Sequence, residues 1–283
     1  MARKPRFRSV FVCVGILMWL AAPAAAQQSL AEQMQALDWQ EGPTTASLGS
    51  IAQIDVPEGY RFVGKGGASK FMELIQNPSD GRELGILLSP ESWFVVFDFS
   101  DQGYVKDDER DLDAAAILST IKKGTEASNK IRREKGWSTM SIVGWHEEPY
   151  YDEETNNLTW SIIGKSEDGE SVNHSTRLLG RRGVMNVDLV MSPEQAETAL
   201  TEFNDVLTNF EFKSGSKYSD FVRGDKVAEY GLAGLVVGGA GVALVKSGLL
   251  QKFGKLIVVG FVALAGLVKK MFASLSGRSE ARA

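Results

Sequence analysis

The strongest constraint on this chain is the placement of its uncharged apolar runs, which lie at its two ends. One run, Val10–Leu20, follows a basic N-terminus, and two more cover Tyr230–Val245 and Leu256–Val268. Nearly all of the acidic residues lie between them. The pattern predicts one water-facing domain flanked by segments for export and for membrane contact.

The first run is typical of a secretory signal peptide. Its 11 apolar residues follow four basic ones and precede small residues that end at Ala26, which predicts cleavage between Ala26 and Gln27. Eleven helical residues rise only about 17 Å, against about 30 Å of hydrocarbon, so a cleaved signal is favoured over a retained anchor. The single cysteine, Cys13, lies in this run, and the exported chain would carry no thiol.

The C-terminal runs predict a transmembrane helix or a helical hairpin. The first run, continued past Lys246, is long enough to cross a bilayer, whereas the second has 13 residues and is short. The positive-inside bias favours one crossing, since a second crossing would place Lys269, Lys270, Arg278 and Arg282 outside the cytoplasm. The hydropathy of Leu256–Val268 favours the hairpin, and both alternatives stay open.

Glycines give the first run a surface for helix packing. Gly234 and Gly238 are spaced as Gly-x-x-x-Gly, which lets another helix approach closely. Self-association through this pattern is one hypothesis. A chance match in a glycine-rich stretch is the simpler explanation.

The charge distribution divides the chain into residues 1–26 (signal peptide), 27–226 (exported domain) and 227–283 (membrane segment with a basic tail). The middle part holds 20 basic and 34 acidic residues, a net charge of −14. Such a domain would be repelled by phosphate, which argues against a nucleic-acid partner.

Periodicity predicts an α+β domain with an antiparallel sheet and flanking helices. Helices are predicted over Asp111–Lys123, with a stop at Gly124, over Thr125–Lys135, and from Ser192-Pro193 to Leu207. Strands are predicted by alternating or continuous apolar runs between turn residues, at Ala46–Val56, Tyr60–Val63, Leu84–Leu88, Trp93–Phe99, Thr139–Trp145, Leu158–Gly164, Ser171–Leu179 and Gly183–Met191.

A series of motifs resembles a bacterial family of predicted membrane-anchored exported proteins, classed as a domain of unknown function. The motifs are Gly103-Tyr104-Val105-Lys106-Asp107-Asp108, Gly144-Trp145, Pro149-x-Tyr151-Asp152, Leu158-x-Trp160, Leu179-Gly180-Arg181-x-Gly183 and Asp225-Lys226-Val227-Ala228-x-Tyr230-Gly231. The resemblance covers roughly 38–270 and implies anchoring rather than an activity. The ending from Gly183 to Phe212 also resembles the PsbP and Mog1-like fold, which serves mainly in binding and assembly.

Four residues are candidates for function. His146 lies among acids and, with Asp152 nearby, is a candidate general base or metal ligand, although a solvated acidic loop explains it as well. Arg177 and Arg181 are candidates because they could clamp an anionic ligand together with Arg182, although arginines at a hairpin tip are commonly solvated. His174 and Ser175 are adjacent on a strand and point to opposite faces, so they cannot act together.

The acidic run Asp107–Asp113 has the first spacing of a calcium loop. It lacks the glycine that such a loop needs, since Leu112 stands there, and acids before a helix are favoured by its N-terminal amides. The sequence also lacks a nucleophile elbow, a phosphate-binding loop, a His-Glu-x-x-His motif and a Cys-x-x-Cys motif. No catalytic residue, metal ligand or cofactor is therefore assigned.

These observations favour a non-catalytic binding or assembly module of the cell envelope. It would be anchored in the bacterial inner membrane, with residues 27–226 in the periplasm, and would have a protein partner in the membrane or the periplasm. The alternative is a hydrolytic or carbohydrate-active envelope enzyme that uses carboxylates near His146.

Overall fold

The structure is a computed structural model that describes residues 29–77, 79–108 and 110–237. These residues form helices α1 (Leu30–Gln35), α2 (Lys65–Leu74), α3 (Ala114–Glu134), α4 (Ala196–Leu207) and α5 (Leu232–Val236). The strands are β1 (Trp39–Glu41), β2 (Thr44–Leu48), β3 (Ala52–Val56), β4 (Arg61–Gly64), β5 (Glu83–Leu88), β6 (Phe94–Ser100), β7 (Ser141–Asp152), β8 (Asn157–Ser166), β9 (Gly169–Leu179), β10 (Val184–Met191) and β11 (Phe210–Phe212).

Two antiparallel sheets organise these elements. The larger sheet has eight strands in the order β1-β4-β5-β6-β10-β9-β8-β7, and the smaller has three in the order β11-β3-β2. The predicted α+β class with antiparallel sheets and flanking helices is confirmed. Strands β7 to β10 follow one another as hairpins, whereas β6 pairs with β10 across the long excursion that contains α3.

Both faces of the large sheet are covered. The small sheet and α4 pack on one face, where Phe203 of α4 joins a core with Val95, Val187 and Leu189. On the opposite face, which we call the helix face, α1 and α2 cover the end near β4–β6. α3 and α5 cover the end near β8 and β7, around Trp160 and Leu158.

Helix α3 corrects one prediction, because Gly124 does not stop it. Asp113 caps its start by accepting a hydrogen bond from the Ala116 amide at 2.9 Å, as expected of an acid in this position. Gly124 lies on the buried face of one continuous helix with Ile117 and Ile121. Packing of this face outweighs the cost of about 1 kcal/mol for an internal glycine.

The predicted strand Ala46–Val56 is also corrected, since it is the hairpin of β2 and β3. Gly49 adopts a positive φ of 62° at the turn, a conformation that suits glycine. The buried residues on the two sides of the turn keep the same alternating phase, with Leu48 and Ala52 both buried, and only the exposed Ser50 interrupts it. The predicted helix after Ser192 and Pro193 is confirmed as a short 3-10 turn that leads into α4.

Several predictions lie outside the described residues, namely the cleavage at Ala26 and Gln27, the glycine Gly238 and the run Leu256–Val268. Within the described ranges, no helix is long and apolar enough to cross a membrane.

Candidate functional site

The motifs that are scattered along the sequence meet at one end of the large sheet. The loop after β6, the β9–β10 turn and residues 213–231, which we call the C-terminal strap, are joined there by backbone hydrogen bonds. The Gly103 amide donates to the Arg182 carbonyl at 2.8 Å, and the Arg181 amide donates to the Ser216 carbonyl at 3.0 Å. Tyr104 pairs with Val227 as an isolated parallel bridge. The motif residues therefore fasten the strap to the domain.

Asp107 is the centre of this junction. Its Oδ2 accepts hydrogen bonds from the Tyr151 hydroxyl at 3.1 Å and from Arg110 Nη2 at 3.2 Å, and its Oδ1 accepts from the Tyr218 hydroxyl at 3.3 Å. Burial alone raises the pKa of Asp107, but these hydrogen bonds outweigh it and lower the pKa. The carboxylate that the calcium pattern singled out is therefore already held by side-chain donors from three segments.

The tyrosines around Asp107 are neutral donors. Burial, and then the hydrogen bond to Asp107, raise the pKa of Tyr151 above its ordinary value. Burial, followed by the interaction with Tyr104, likewise raises the pKa of Tyr218. Tyr104 stacks on Tyr218 with ring centroids 4.4 Å apart, and on Phe221 at 4.2 Å. The strap is thus clamped by stacking as well as by hydrogen bonds.

Arg181, a candidate from the sequence, is part of the same junction. Its guanidinium binds Asp225 of the strap through two hydrogen bonds, Nε to Oδ2 at 2.7 Å and Nη2 to Oδ1 at 3.0 Å. The interaction with Arg181 lowers the pKa of Asp225 to about 2. A two-bond pair of this kind fixes orientation as well as charge. The guanidinium of Arg181 therefore binds a residue of the same chain.

Arg177, the second arginine candidate, lies elsewhere, on the helix face of β9. Its Nη1 donates to Asp188 Oδ1 at 2.9 Å, and its guanidinium lies 4.7 Å from the centre of the Trp160 ring. Ser175 donates to the same Asp188 oxygen at 2.6 Å. The structure gives Arg177 and Arg181 different partners, and it does not bring them to one shared ligand.

The residues around Arg177 form a polar stripe, which sequence reasoning missed. Ser171, Asn173, Ser175 and Arg177 occupy alternate positions along β9, where a fully covered strand usually carries apolar side chains. The register places Asn173 between Val190 of the α2 cluster and Ile162 of the α3 cluster. The polar residues of the stripe are visible in the sequence, but they are unusual only because the topology places β9 inside the sheet.

The stripe continues to Asp98 on β6. Asn186 donates to Asp98 at 2.5 Å, and Arg82 lies 3.6 Å from the same carboxylate. Burial raises the pKa of Asp98, and Arg82 and Asn186 oppose the shift only in part. The helix face therefore holds a paired arginine, two carboxylates and amides in a setting that can order polar ligands or water.

The histidines occupy different settings. His146 is exposed on the edge strand β7, and Asp152 accepts hydrogen bonds from the Glu154 amide at 2.8 Å and the Thr155 hydroxyl at 2.9 Å. Both residues are described, and no hydrogen bond or ion pair joins them. β7 also carries irregular pairing and Pro149, so its acids and bulges protect a sheet edge from unwanted pairing.

His174 is buried on the opposite face of the sheet from Ser175, as predicted from their adjacency. Its Nδ1 lies 2.8 Å from Ser161 Oγ, and its ring meets Phe203 edge-on at 5.4 Å. Burial, and then the charge of His146, lower the pKa of His174 to about 4. His174 is therefore neutral at physiological pH and belongs to the packing of α4 on the sheet.

Within the described part of the chain, no three His, Cys, Asp or Glu side chains are grouped to hold a metal ion. The side chains that the motifs bring together are donors and acceptors already matched to one another. Their arrangement attaches one segment of the chain to the rest of it.

Comparison with known proteins places the chain in a family. The solution structure of cyanobacterial PsbP (CyanoP) from Synechocystis sp. PCC 6803 is weakly similar, with 12% identity and a TM-score of 0.37 over 60% of this chain and 91% of that one. No curated protein matches the chain. The family described as "Protein of unknown function (DUF2167)" matches residues 40–269, and the chain belongs to that family.

Proposed function

We propose that the protein is a membrane-anchored, non-catalytic binding or assembly module of the bacterial cell envelope. The signal peptide predicted from the first 26 residues directs the domain to the periplasm, and the apolar runs near the C-terminus hold it at the inner membrane. A protein in the membrane or the periplasm is its partner. The single observation that carries the proposal is the use of the motif residues to fasten the strap.

The strap matters because it leads directly to the apolar C-terminal segment. A tethered domain on a free linker would need no such fastening, whereas an assembly module gains from a fixed orientation relative to the membrane. Asp107, Tyr218, Arg181 and Asp225 provide that fixing through hydrogen bonds of 2.7–3.3 Å. These side chains therefore hold the strap in place on the domain.

Helix α5 brings the membrane segment up to the domain itself. Leu232 is 0% exposed and Val236 is 5% exposed, and both belong to the buried cluster that contains Val105 and Leu158. The sequence after Val237 is apolar from its first residue, so no polar linker separates the domain from the anchor. The domain would then lie directly against the membrane surface.

The docked α5 also bears on how the chain could cross the bilayer. A span of about 20 residues that starts at Gly238 would have to include Lys246, Lys252 and Lys255. Such a span is costly. With α5 docked, the anchor would consist of the rest of the first run after Val237 together with the second run. This anchor would lie in the membrane interface or enter the membrane as a hairpin. A straight crossing by the first run requires α5 to leave the domain.

The hydrolase alternative gains no support from the site. His146 is exposed, and Asp152 is occupied by its own turn. No second function is proposed.

The proposal is tested in cells that produce the full chain. Membranes are washed with alkaline carbonate, spheroplasts are treated with an external protease, and in-cell crosslinks are identified by mass spectrometry after mild-detergent purification. We expect the chain to stay with the membrane, the domain to be cut only from the periplasmic side, and one protein to crosslink in stoichiometric amount.

Two substitutions near the strap provide a test variant and its matched control. Arg181→Ala releases the Asp225 pair, whereas Lys217→Ala removes an exposed cation of the same strap. We expect the partner crosslink to fall in the first variant and to persist in the second. Recovery of the chain alone, or a chain that washes off the membrane, would overturn the proposal.

A further inference from the structure

Three of the five large hydrophobic side chains exposed by the described residues lie on the C-terminal strap. Val222 is 51% exposed, Val227 is 39% exposed and Phe221 is 37% exposed. The other two, Val143 and Tyr150, lie on the edge strand β7. Scattered apolar residues on a surface need no explanation, but three on one short segment that leads to an apolar tail form a patch.

The contacts of the strap make this patch one rigid surface. Phe221 packs on Tyr104 at 4.2 Å between ring centroids, and Tyr104 pairs with Val227. The Val222 amide donates to Asp225 Oδ2 at 2.9 Å, which ties Val222 to the Arg181–Asp225 pair. The exposed side chains are therefore presented by a fixed backbone.

The charge near the patch differs from that of the rest of the domain. The strap carries four basic and three acidic residues, and the β9–β10 turn adds Arg181 and Arg182. One of the acids, Asp225, is neutralised by Arg181. Residues 27–226 as a whole carry a net charge of −14, which an anionic membrane repels, whereas the strap and this turn together carry six basic and three acidic residues.

The patch is continuous with the point where the chain leaves the described structure. A Cβ on Gly231 would lie 3.6 Å from the Lys106 carbonyl, two residues beyond Tyr104. α5 follows at once and packs on Val105. From Val237 the sequence enters its apolar segment.

We infer that the face formed by Phe221, Val222 and Val227 is a lipid-binding surface that rests in the headgroup region of an anionic membrane. Exposed apolar side chains flanked by Arg182, Arg223 and Lys226 match that environment, because the rings and branched chains enter the acyl boundary while the cations meet phosphate. The inference rests on the proposed function, since it states which face of the anchored domain lies on the membrane.

The test uses the exported chain, residues 27–283, which has no cysteine of its own, so that one engineered cysteine carries one nitroxide label. Labels are placed by Phe221→Cys, Val222→Cys and Val227→Cys, and the control is Val143→Cys on β7, which is 50% exposed and so matches Val222 at 51%. The proteins are reconstituted into vesicles of phosphatidylglycerol and phosphatidylethanolamine. Collision rates with oxygen and with a water-soluble nickel chelate are measured by electron paramagnetic resonance.

We expect the three strap labels to collide several-fold less with the nickel chelate than the Val143 label, and at least as often with oxygen. Strap labels as open to the nickel chelate as the control would overturn the inference. Labels shielded from both reagents would also overturn it, in favour of a protein covering the patch.

The membrane wash separates the two failures. A chain that stays in the vesicles after alkaline carbonate while its strap labels face water refutes the lipid-binding face alone. A chain that leaves the vesicles refutes the proposed anchoring.

Discussion

Arg181 and Asp225 are 44 residues apart in sequence and form a two-bond ion pair, with N–O distances of 2.7 and 3.0 Å. The pair joins the β9–β10 turn to the C-terminal strap. Both residues belong to motifs that define the family resemblance, and the structure shows that these motifs act on each other. The pair is therefore the most direct handle on the attachment of the strap.

Replacing Arg181 with Ala should change the titration of Asp225. Its pKa is lowered to about 2 in the folded chain by the hydrogen bonds from Arg181. Because the folded pKa is depressed, the stabilisation is present above the ordinary pKa of an aspartate and is lost as the pH falls through 2. Carbonyl-carbon NMR of the Asp225 side chain should show its pKa rise towards 3.8 in Arg181→Ala. An unchanged midpoint would show that the pair does not form in solution.

Replacing Gly103 with Ala should loosen the strap. Gly103 has a φ of 102°, and a Cβ there would lie 2.8 Å from the Lys226 carbonyl of the strap. Gly136→Ala is the matched control, because Gly136 also has a positive φ, of 69°, but has open space around it. The control should cost about 1–2 kcal/mol of strain. Gly103→Ala should cost more and should also raise hydrogen exchange at Tyr104 and Ala228. Equal costs with equal protection would contradict the close contact.

Removing one partner of the Arg177–Asp188 pair should lower the free energy of unfolding. The two side chains are only 13% and 10% exposed. Arg177→Met keeps a chain over Trp160 but leaves Asp188 without its counter-charge, which should cost about 3–5 kcal/mol of unfolding free energy. The double variant with Asp188→Leu should recover much of that loss. Denaturant unfolding of the full chain in detergent measures both, and a double variant as unstable as the single one would argue against the pair.

His174 should make stability depend on acid. Its pKa is lowered to about 4 by burial and then by His146. Between pH 6.5 and 4, His174 stays neutral in the folded state but binds a proton in the unfolded state. The free energy of unfolding therefore falls as the pH drops from about 6.5 to 4. The loss should approach about 3 kcal/mol.

The control for this effect is His146, which is exposed. His174→Gln should remove most of the pH dependence between 6.5 and 4, whereas His146→Gln should leave it and raise the pKa of His174 only slightly. Unfolding curves at both pH values, with histidine NMR titrations, measure these outcomes. A His174 that titrates near 6.5 would refute the burial argument.

Leu232 tests whether α5 is docked in the full chain. It is 0% exposed in a cluster with Ile117 and Trp160. Leu232→Ala should cost about 2–5 kcal/mol if the helix packs on the domain. Val222→Ala, at an exposed position, should cost little. Equal and small effects would place α5 outside the domain and would favour a straight membrane crossing.

Local signals sufficed for some elements and not for others. Ser192 and Pro193 correctly predicted the start of the segment that contains α4. The turn residues around Asp168 and Gly183 correctly predicted two hairpins. Both predictions succeeded because caps and turns depend on neighbouring residues. The predicted helix stop at Gly124 was wrong, since the burial of one face of α3 outweighed the weak preference of glycine against a helix. The periodicity did not indicate the turn at Gly49, because the buried residues on its two sides keep the same alternating phase and only Ser50 interrupts it.

The candidate residues show the same division. Arg181 was singled out from its position at a turn, but its partner Asp225 could not be inferred, because no local rule links residues so far apart. The stripe on β9 was overlooked because its polar side chains are unusual only once the strand is known to be internal.

The sequence by itself determined the α+β class, most strands, the positions of α3 and α4, and the placement of apolar runs at the ends, since these follow from periodicity, caps and composition. The tertiary structure alone decided that the motifs meet, that Asp107 and Arg181 fasten the strap, and that Arg177 pairs with Asp188. These outcomes depend on which distant segments the sheet order brings within hydrogen-bond distance. Hydrogen bonds and ion pairs act over a few ångströms, and only the folded chain sets those distances.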